Sequence, residues 1–596
     1  MAGLKFKSRF LLHSIAKALL LPPVLAHVVL RAAGGVGLPA WLKIVAYAAS
    51  IPVAQYIRGI PANRARRRDM ARLGAHPVPR VKGWLPGNLD VLWNLVVSDG
   101  EEYCAETMRK HAETLQSATF DMGILWASQV LDPANVQHVL ATSFNDFEKG
   151  VKFRDMFDLF LGQGIFTTDG EQWKEHRALA KPFFSRERIT DFRCFDRHAD
   201  KMLHVMALYA NHGDPMDIQA RTDSQFPFDI FCRFSMDVGT DFLFGRCVKS
   251  LDALICHDDS FGRFSTAFNA ATHLGATRVR IGSLWPLFEP FGDRAAPAVN
   301  IIRDLIDPII QDAMLKKGQL QSSDRLIATI WPSSLIYPTL DVDLVRAEVM
   351  NILLAARDTM ASILTFTIYC LTQHPGVQDA LRHEVERVVG ESREPTHEDI
   401  REMRYLRAVL NEVLRLFPPV PFNIRRSVGS SALPSPLSPQ GPLYMPANVS
   451  ITFISLLIHR RTDIWGPSAH KFDPERWLGP SEPGEDLKTK VHVANPFAFL
   501  PFNAGPRICL GQQFAYAEAS FIIIRLLQRV KSFELAPEAQ PEGSLPPADW
   551  ASSTIGRESI ERCRPVSSLV LSIKGGLWIR AKMKEGYAHL HDGNPL

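Results

Sequence analysis

The chain has 596 residues, 46% hydrophobic and 22% charged, with a net charge of +4. This is ordinary globular composition, enough for one large domain or two to three average ones. The eight cysteines are scattered and form no CxxC pair, which excludes a zinc ribbon or a thioredoxin-type redox pair and fits reduced thiols in a cytosol-facing domain.

Charge is unevenly placed along the chain. Residues 1–82 carry 14 basic residues and one acid, Asp69, while the remainder carries 53 basic and 62 acidic residues. The N-terminal part therefore reads as a separate physical object, a membrane anchor over residues 1–75. Residues 38–57 hold 20 residues with one charge, Lys43. As a helix they would cross roughly 30 Å of hydrocarbon. The arginines that follow, Arg58 to Arg72, mark the cytoplasmic side. The earlier apolar stretch, Ala18–Leu30, contains Pro22-Pro23 and by length suits a re-entrant or interfacial segment. Basic residues on both sides nevertheless allow a two-span hairpin, over about 10–30 and 38–57, with both ends inside.

Residues 76–88, with three prolines and two glycines, predict a stiff extended linker, and the main domain is expected over 89–596. The tracts 430–442 and 536–553 read as surface loops. Residues 341–373 run without Gly or Pro and predict a helix of about 50 Å, apolar nearly all round and hence buried in a large domain. Arg357, Asp358 and Thr359 interrupt that apolar surface, which is costly unless they are paired or functional. A second helix, about 402–417, puts Glu412 and Arg415 on one face and ends at Pro418-Pro419. Alternation over 442–461 predicts strands, and 567–583 predicts a hairpin turning at Gly575-Gly576.

One cysteine stands apart. In "FLPFNAGPRICLGQQFAYAEAS", 499–520, Cys509 lies among Gly505, Pro506, Arg507 and Gly511, ahead of a helix over about 511–529. The glycines allow a flat ligand to approach the backbone. The helix start and Arg507 favour a thiolate. A thiolate there suits a large planar metal cofactor, and on haem iron it favours O–O cleavage.

With those residues in view the chain resembles the cytochrome P450 superfamily. Phe502-x-x-Gly505-x-Arg507-x-Cys509-x-Gly511 matches that family's haem-binding signature in full. Ala355 to Thr359 resembles its oxygen-activation stretch, Glu412-x-x-Arg415 its E-x-x-R pair, "FDPERW" at 472–477 the segment whose Arg476 locks that pair, and Trp173-x-x-x-Arg177 its propionate-binding helix. The resemblance covers residue 76 to about 582. It implies a mainly α fold with small β-sheets, preceded by the transmembrane anchor. It implies haem b, held non-covalently apart from the axial Cys509 thiolate, with Trp173, Arg177, Arg425 and Arg507 at the propionates and Phe502 packed near the thiolate. Glu412, Arg415 and Arg476 would form a structural network. Thr359 would serve oxygen activation and Asp358 proton relay toward bulk water.

The sequence departs from the family's pattern at Ala356, usually glycine, and at Met360, usually threonine or serine. Ala355 replaces the glutamate that links covalently to haem in some fatty-acid hydroxylases. Among subfamilies the motifs are most similar to fungal membrane-bound alkane and fatty-acid hydroxylases, which implies an apolar substrate. Its contacts would come from 145–165, Leu353–Met360, Val420–Ile424 and the hairpin near Lys574–Leu577. No GxGxxG follows a strand, so electrons from NADPH are expected through a separate NADPH–cytochrome P450 reductase, with or without cytochrome b5. That partner would dock on the basic face over Cys509. The expected setting is the endoplasmic reticulum membrane, with the domain facing the cytosol and no nucleic-acid partner. Two other readings stay open at this point. One is a reductase-independent haem-thiolate isomerase, dehydratase or peroxygenase, and the other is a non-catalytic haem-binding scaffold.

Overall fold

The structure, a computed structural model, describes residues 15–34, 37–97, 102–123, 127–219, 229–245, 247–256, 260–319, 342–479 and 495–585. The basic residues Lys5, Lys7 and Arg9 lie outside that set. Helix α1 (Leu21–Ala32) folds back on α2 (Ala40–Leu73), and His27 Nδ1 meets the Tyr47 hydroxyl at 2.7 Å. Pro22 and Pro23 stand in the first turn of α1, where a missing N–H costs no helical bond. The apolar helical run is therefore Ile15–Ala32, 18 residues with mean hydropathy 1.6, long and apolar enough to cross a membrane. This is longer than the interfacial segment expected from the sequence. Helix α2 contains most of the 38–57 stretch and continues unbroken through the arginine cluster, with no buried residue, to Gly74 in the left-handed conformation.

The predicted linker is extended but is not a free spacer. His76 bridges to Leu443 and Arg80 to Asp121, and Asn88 Nδ2 donates to the carbonyls of Val81 and Met122 at 2.8 and 2.9 Å. Its backbone is satisfied by the domain, so the boundary falls before it.

A five-stranded mixed sheet has the order β1 (Thr119–Asp121), β2 (Ala127–Val130), β8 (Ser450–Phe453), β5 (Asn423–Ser427), β3 (Phe147–Glu148). Only the β2–β8 pair in it is parallel. A three-stranded sheet orders β4 (Met216–Asp217), β12 (Trp578–Met583), β9 (Val530–Leu535). Among the described residues two hairpins complete the β structure, β6 (Ser431–Leu433) with β7 (Leu443–Met445) and β10 (Pro565–Ser567) with β11 (Leu571–Ile573). The tract 430–442 is thus partly a strand, with Leu433 fully buried.

The predicted hairpin at Gly575-Gly576 is corrected. There β11 pairs backward with β10, and β12 crosses to β9 and β4. Both glycines have positive φ, and a Cβ on Gly576 would stand 2.1 Å from Asp217 Oδ2. They serve a close passage between sheets.

The helical layer is centred on α9 (Val342–Gln373), the predicted long helix, which is mostly buried. Helix α6 (Ile230–Phe244) packs along it, and the Ser235 hydroxyl donates to the Arg357 carbonyl at 3.0 Å. Helix α10 (Pro375–Val388) opens on its proline after the break at His374. Helix α11 (Arg404–Leu416) presents Glu412 and Arg415 inward, both with no exposed surface. Glu412 accepts from Arg415 Nε and Nη2 (2.8 Å each), Arg476 Nε (2.9 Å), Trp477 Nε1 (2.8 Å) and the Asp473 amide (3.0 Å). Arg415 Nη1 donates to the carbonyls of His459 and Ala469 at 2.8 and 2.6 Å. Such a network is stable because every charge is paired, and removing one partner strands the others.

Helix α12 (Gln512–Arg529) runs through the core beyond the cysteine loop. It carries Glu518, 2% exposed, with Oε1 buried and without a hydrogen-bond partner. Burial alone lifts its carboxyl to about 8.

Two outcomes follow. Glu412→Gln is expected to cost about 3–5 kcal/mol, read by thermal unfolding of the full chain in detergent; an unchanged midpoint would show that the network is dispensable. Glu518 is protonated when folded and ionised when unfolded between its ordinary carboxyl value and about 8, so its contribution to stability falls as pH rises through that window. Glu518→Gln should therefore gain midpoint over the parent progressively from pH 5 to pH 8. An equal offset across that range would contradict the assignment.

Candidate active site

The loop that carries Cys509 is built by local backbone constraints. Gly505 has φ +69°, and a Cβ on it would lie 1.9 Å from the Leu140 carbonyl oxygen, so only glycine fits. The Cys509 amide donates to the Phe502 carbonyl at 2.9 Å, closing a turn that ends where α12 begins. Phe502 packs on Tyr516 with ring centroids 5.1 Å apart. The Cys509 side chain opens onto a cavity of about 620 Å³. Burial pushes the thiol up, while the Gly511 amide and the Arg177 charge pull it down, and burial prevails. Sequence reasoning named the helix start but gave Arg507 as the cation, where the structure has Arg177, and it missed the larger opposing cost of burial. The thiol ionises at neutral pH when a metal takes up the thiolate.

Helix α4 (Gly170–Ala180) carries Trp173 and Arg177. Arg177 Nη1 donates to the Ile508 carbonyl at 3.0 Å, pinning the residue before Cys509. Arg507 Nη2 donates to Asp169 Oδ1 at 2.6 Å and the Thr168 carbonyl at 2.8 Å, and its guanidinium lies 4.6 Å from the Trp173 ring centroid. Arg425, on β5, is 1% exposed; Nη1 donates to Asn423 Oδ1 and the Ile424 carbonyl, and Nε has no partner. Burial, then the Arg507 charge, lower it to about 9. Lys149, ahead of α3 (Gly150–Leu161), donates to Asn423 Oδ1 at 3.1 Å, and burial with the charges of Arg425 and Arg507 holds its ammonium well below the ordinary range. Sequence reasoning missed Lys149 and Asp169. Their placement depends on the pairing of β3 with β5, and no motif spans it.

Lys149, Arg177, Arg425 and Arg507 line the cavity, as do Lys152, Arg280 and Arg426 and the carboxyl groups of Glu102, Glu106 and Glu518, whereas Asp169, the carboxylate paired with Arg507, does not. Positive charge in such surroundings is stabilised by bound anions. The donor set fits a flat group with a thiolate-seeking metal and two carboxylates, as haem has.

The opposite wall is α9. Ala355, Ala356, Thr359 and Met360 line the cavity, and the Thr359 hydroxyl donates to the Ala355 carbonyl. Ala356, where the family pattern has glycine, faces Gly239 of α6, where even an added Cβ would stand 3.8 Å from the methyl, so the methyl is not crowded on that side. Asp358 does not line the cavity. It pairs with Arg357 Nη1 at 2.8 Å, and Arg357 also donates to Asn269 Oδ1 and Ser265 Oγ on α7 (Ser260–Ile281). Burial raises the Asp358 carboxyl against the pull of Arg357. Thr359 and Asp358 are thus split between the cavity and the helix interface behind it. Glu412, Arg415 and Arg476 lie in the network already described.

The remaining wall is mostly apolar. Met156 and Phe157 of α3, Val420 and Ile424 border it, within the segments expected from the sequence. The C-terminal contribution differs from expectation: Ser568, Leu569 and Val570 line the cavity, whereas Lys574–Leu577 do not. The β10–β11 turn, and not the glycine pair, points at this space.

The cytochrome P450 family model matches residues 84–555. A cytochrome P450 monooxygenase of Aspergillus japonicus is 34% identical over 457 residues, 75% of this chain and 76% of the relative. Cytochrome P450 52A3-A of Candida maltosa is 34% identical over 472 residues, 77% of this chain and 85% of the relative. The crystal structure of the cytochrome P450DA haem domain superposes with a TM-score of 0.63 at 19% identity, covering 87% of this chain and 100% of that one. A match across most of the chain, the shared fold and a cysteine facing a cationic cavity converge, and the chain belongs to the cytochrome P450 family as a haem-thiolate monooxygenase.

Proposed function

We propose that this is a membrane-bound enzyme that inserts one oxygen atom from O2 into an apolar substrate, such as an alkane, a fatty acid or a polycyclic compound. The observation that carries the reading is that one cavity is bordered by Cys509, by Lys149, Arg177, Arg425 and Arg507, by Thr359 and by apolar side chains of α3 and α9. Bound haem b supplies the oxygen chemistry. Cys509 would ligate its iron. Lys149, Arg177, Arg425 and Arg507 would hold its carboxylates by charge-assisted hydrogen bonds. The apolar wall would bind the substrate and exclude water. Thr359 would orient a proton at its hydroxyl, and Asp358, held by Arg357 and itself 15% exposed, would connect that helix with solvent. Electrons would come from NADPH through a separate NADPH–cytochrome P450 reductase, with cytochrome b5 as an alternative donor. The helix Ile15–Ala32 and the basic α2 support an endoplasmic reticulum anchor with the domain in the cytosol.

The carbon monoxide difference spectrum of the reduced protein in membranes is expected to show the red-shifted Soret band of thiolate ligation. Cys509→Ser should abolish it, and persistence of the band would remove Cys509 as the ligand. With reductase and a panel of alkanes, fatty acids and polycyclic compounds, NADPH consumption coupled to a hydroxylated product is expected; turnover without reductase would favour the isomerase or peroxygenase class. Arg425→Gln should speed haem loss to an acceptor apoprotein by about 10- to 100-fold, the worth of one charge-assisted bond. An unchanged rate would place the carboxylates elsewhere.

A further inference from the structure

Two facing helices away from the cysteine loop each carry a pair of metal-ligating residues at i and i+4. Helix α5 (Arg193–His212) carries Cys194 and His198, and α6 carries Asp237 and Asp241. This spacing puts each pair on one helix face. Among the described residues, two groups of three such side chains have ligand atoms within 4.8 Å of one another. Both include His198: one is Cys194, His198 and Asp241, and the other is His198, Asp237 and Cys247.

We propose that Cys194, His198 and Asp241 bind a divalent metal ion of the zinc class. Cys194 Sγ lies 3.6 Å from Asp241 Oδ2, and His198 Nε2 lies 3.0 Å from the same oxygen. Ligands about 2.0–2.3 Å from a tetrahedral zinc ion are about 3.3–3.8 Å apart, so the Cys194–Asp241 separation already fits, the His198–Asp241 separation needs to open by a few tenths of an ångström, and the sulfur and imidazole nitrogen lie within 4.8 Å of each other. One thiolate, one imidazole and one carboxylate is a donor set that zinc accepts, with a fourth position for water. His198 is 1% exposed and its Nδ1 has no partner, so Asp241 alone holds the ring proton on Nε2. Asp237 is the poorer candidate. Its carboxylate is already taken by the Ser250 amide and hydroxyl and by the Leu251 amide, at 2.7, 2.7 and 3.0 Å.

Binding is an exchange without oxidation. The Cys194 S–H bond breaks, its proton goes to solvent and a sulfur–metal bond forms. The His198 ring proton shifts to Nδ1. Arg197, which donates to Asp241 Oδ2 at 2.8 Å and is 59% exposed, moves to water. The site would tie α5 to α6 beside Phe242, which packs on Phe514 of the cavity wall with centroids 4.5 Å apart.

The test uses the full-length haem-loaded protein in detergent. It is stripped with chelator, dialysed against zinc ion alone and assayed for zinc per haem, followed by zinc-edge X-ray absorption. About one zinc per haem with a single sulfur neighbour is expected. Cys194→Ser and Asp241→Asn should each weaken retention by more than about tenfold, while Cys247→Ser leaves it unchanged. Zinc no higher than in the dialysis buffer would overturn the proposal, as would a zinc shell without sulfur. Loss in Cys247→Ser with retention in Cys194→Ser would overturn it in favour of the neighbouring group. The absorption measurement needs no variant, so a variant that fails to fold leaves the proposal open to refutation.

Discussion

Glu412 is a carboxylate with no exposed surface, and it is the point from which the cysteine loop is held. It fixes Arg415, whose other arm donates to the His459 carbonyl, and His459 Nε2 in turn accepts the Leu500 amide at 2.7 Å. Two residues later the Phe502 carbonyl receives the Cys509 amide. Burial and the Arg415 charge lower the His459 imidazole to about 3, so it stays neutral and keeps an acceptor nitrogen for Leu500. A buried ion pair contributes little net stability compared with a well-packed apolar substitute. What it supplies here is direction, because each bond in the chain has one geometry and ends at the sulfur.

The cavity side of that loop has the opposite electrostatic character. Glu412 is matched by as many donors as it can take, whereas Lys149, Arg425 and Arg507 are crowded together with Asp169 as their nearest counter-charge. The same chain thus carries one saturated charge centre and one that remains hungry for anions, on two sides of Cys509. Saturation suits a part that must never move. Deficit suits a part that must bind.

Most of the catalytic fold and the signature residues were legible in the sequence because they rest on short-range rules. The absence of Gly and Pro over 342–373 foretold α9, and the glycine spacing around Cys509 foretold the tight loop. What was not legible depends on which segments meet. Lys149 became part of the cationic wall through the β3–β5 pairing. The two glycines at 575 and 576 look like a hairpin turn, but their φ values serve a crossing over Asp217. Asp358 and Thr359 are neighbours in the chain, yet about 100° of helical rotation separates them, so only the threonine reaches the cavity. Ala18–Leu30 read by its length as a re-entrant or interfacial segment, whereas the apolar helical run reaches Ile15–Ala32, with Pro22-Pro23 in the first turn of α1.

Helix α2 has a mechanical consequence. It runs 34 residues, about 51 Å, with Pro52 and Pro61 inside it, and near its end Asp69 accepts from the Ser430 and Tyr444 hydroxyls of the β6–β7 region. A flexible tether would let the catalytic body tumble at any angle above a lipid surface. A continuous helix clamped at its far end works as a lever arm bent at its prolines: it sets standoff height and tilt together, and a one-residue insertion between Pro61 and Leu73 would turn the whole body by about 100°. The direction from which a solute reaches the cavity is therefore encoded in the length of this stalk.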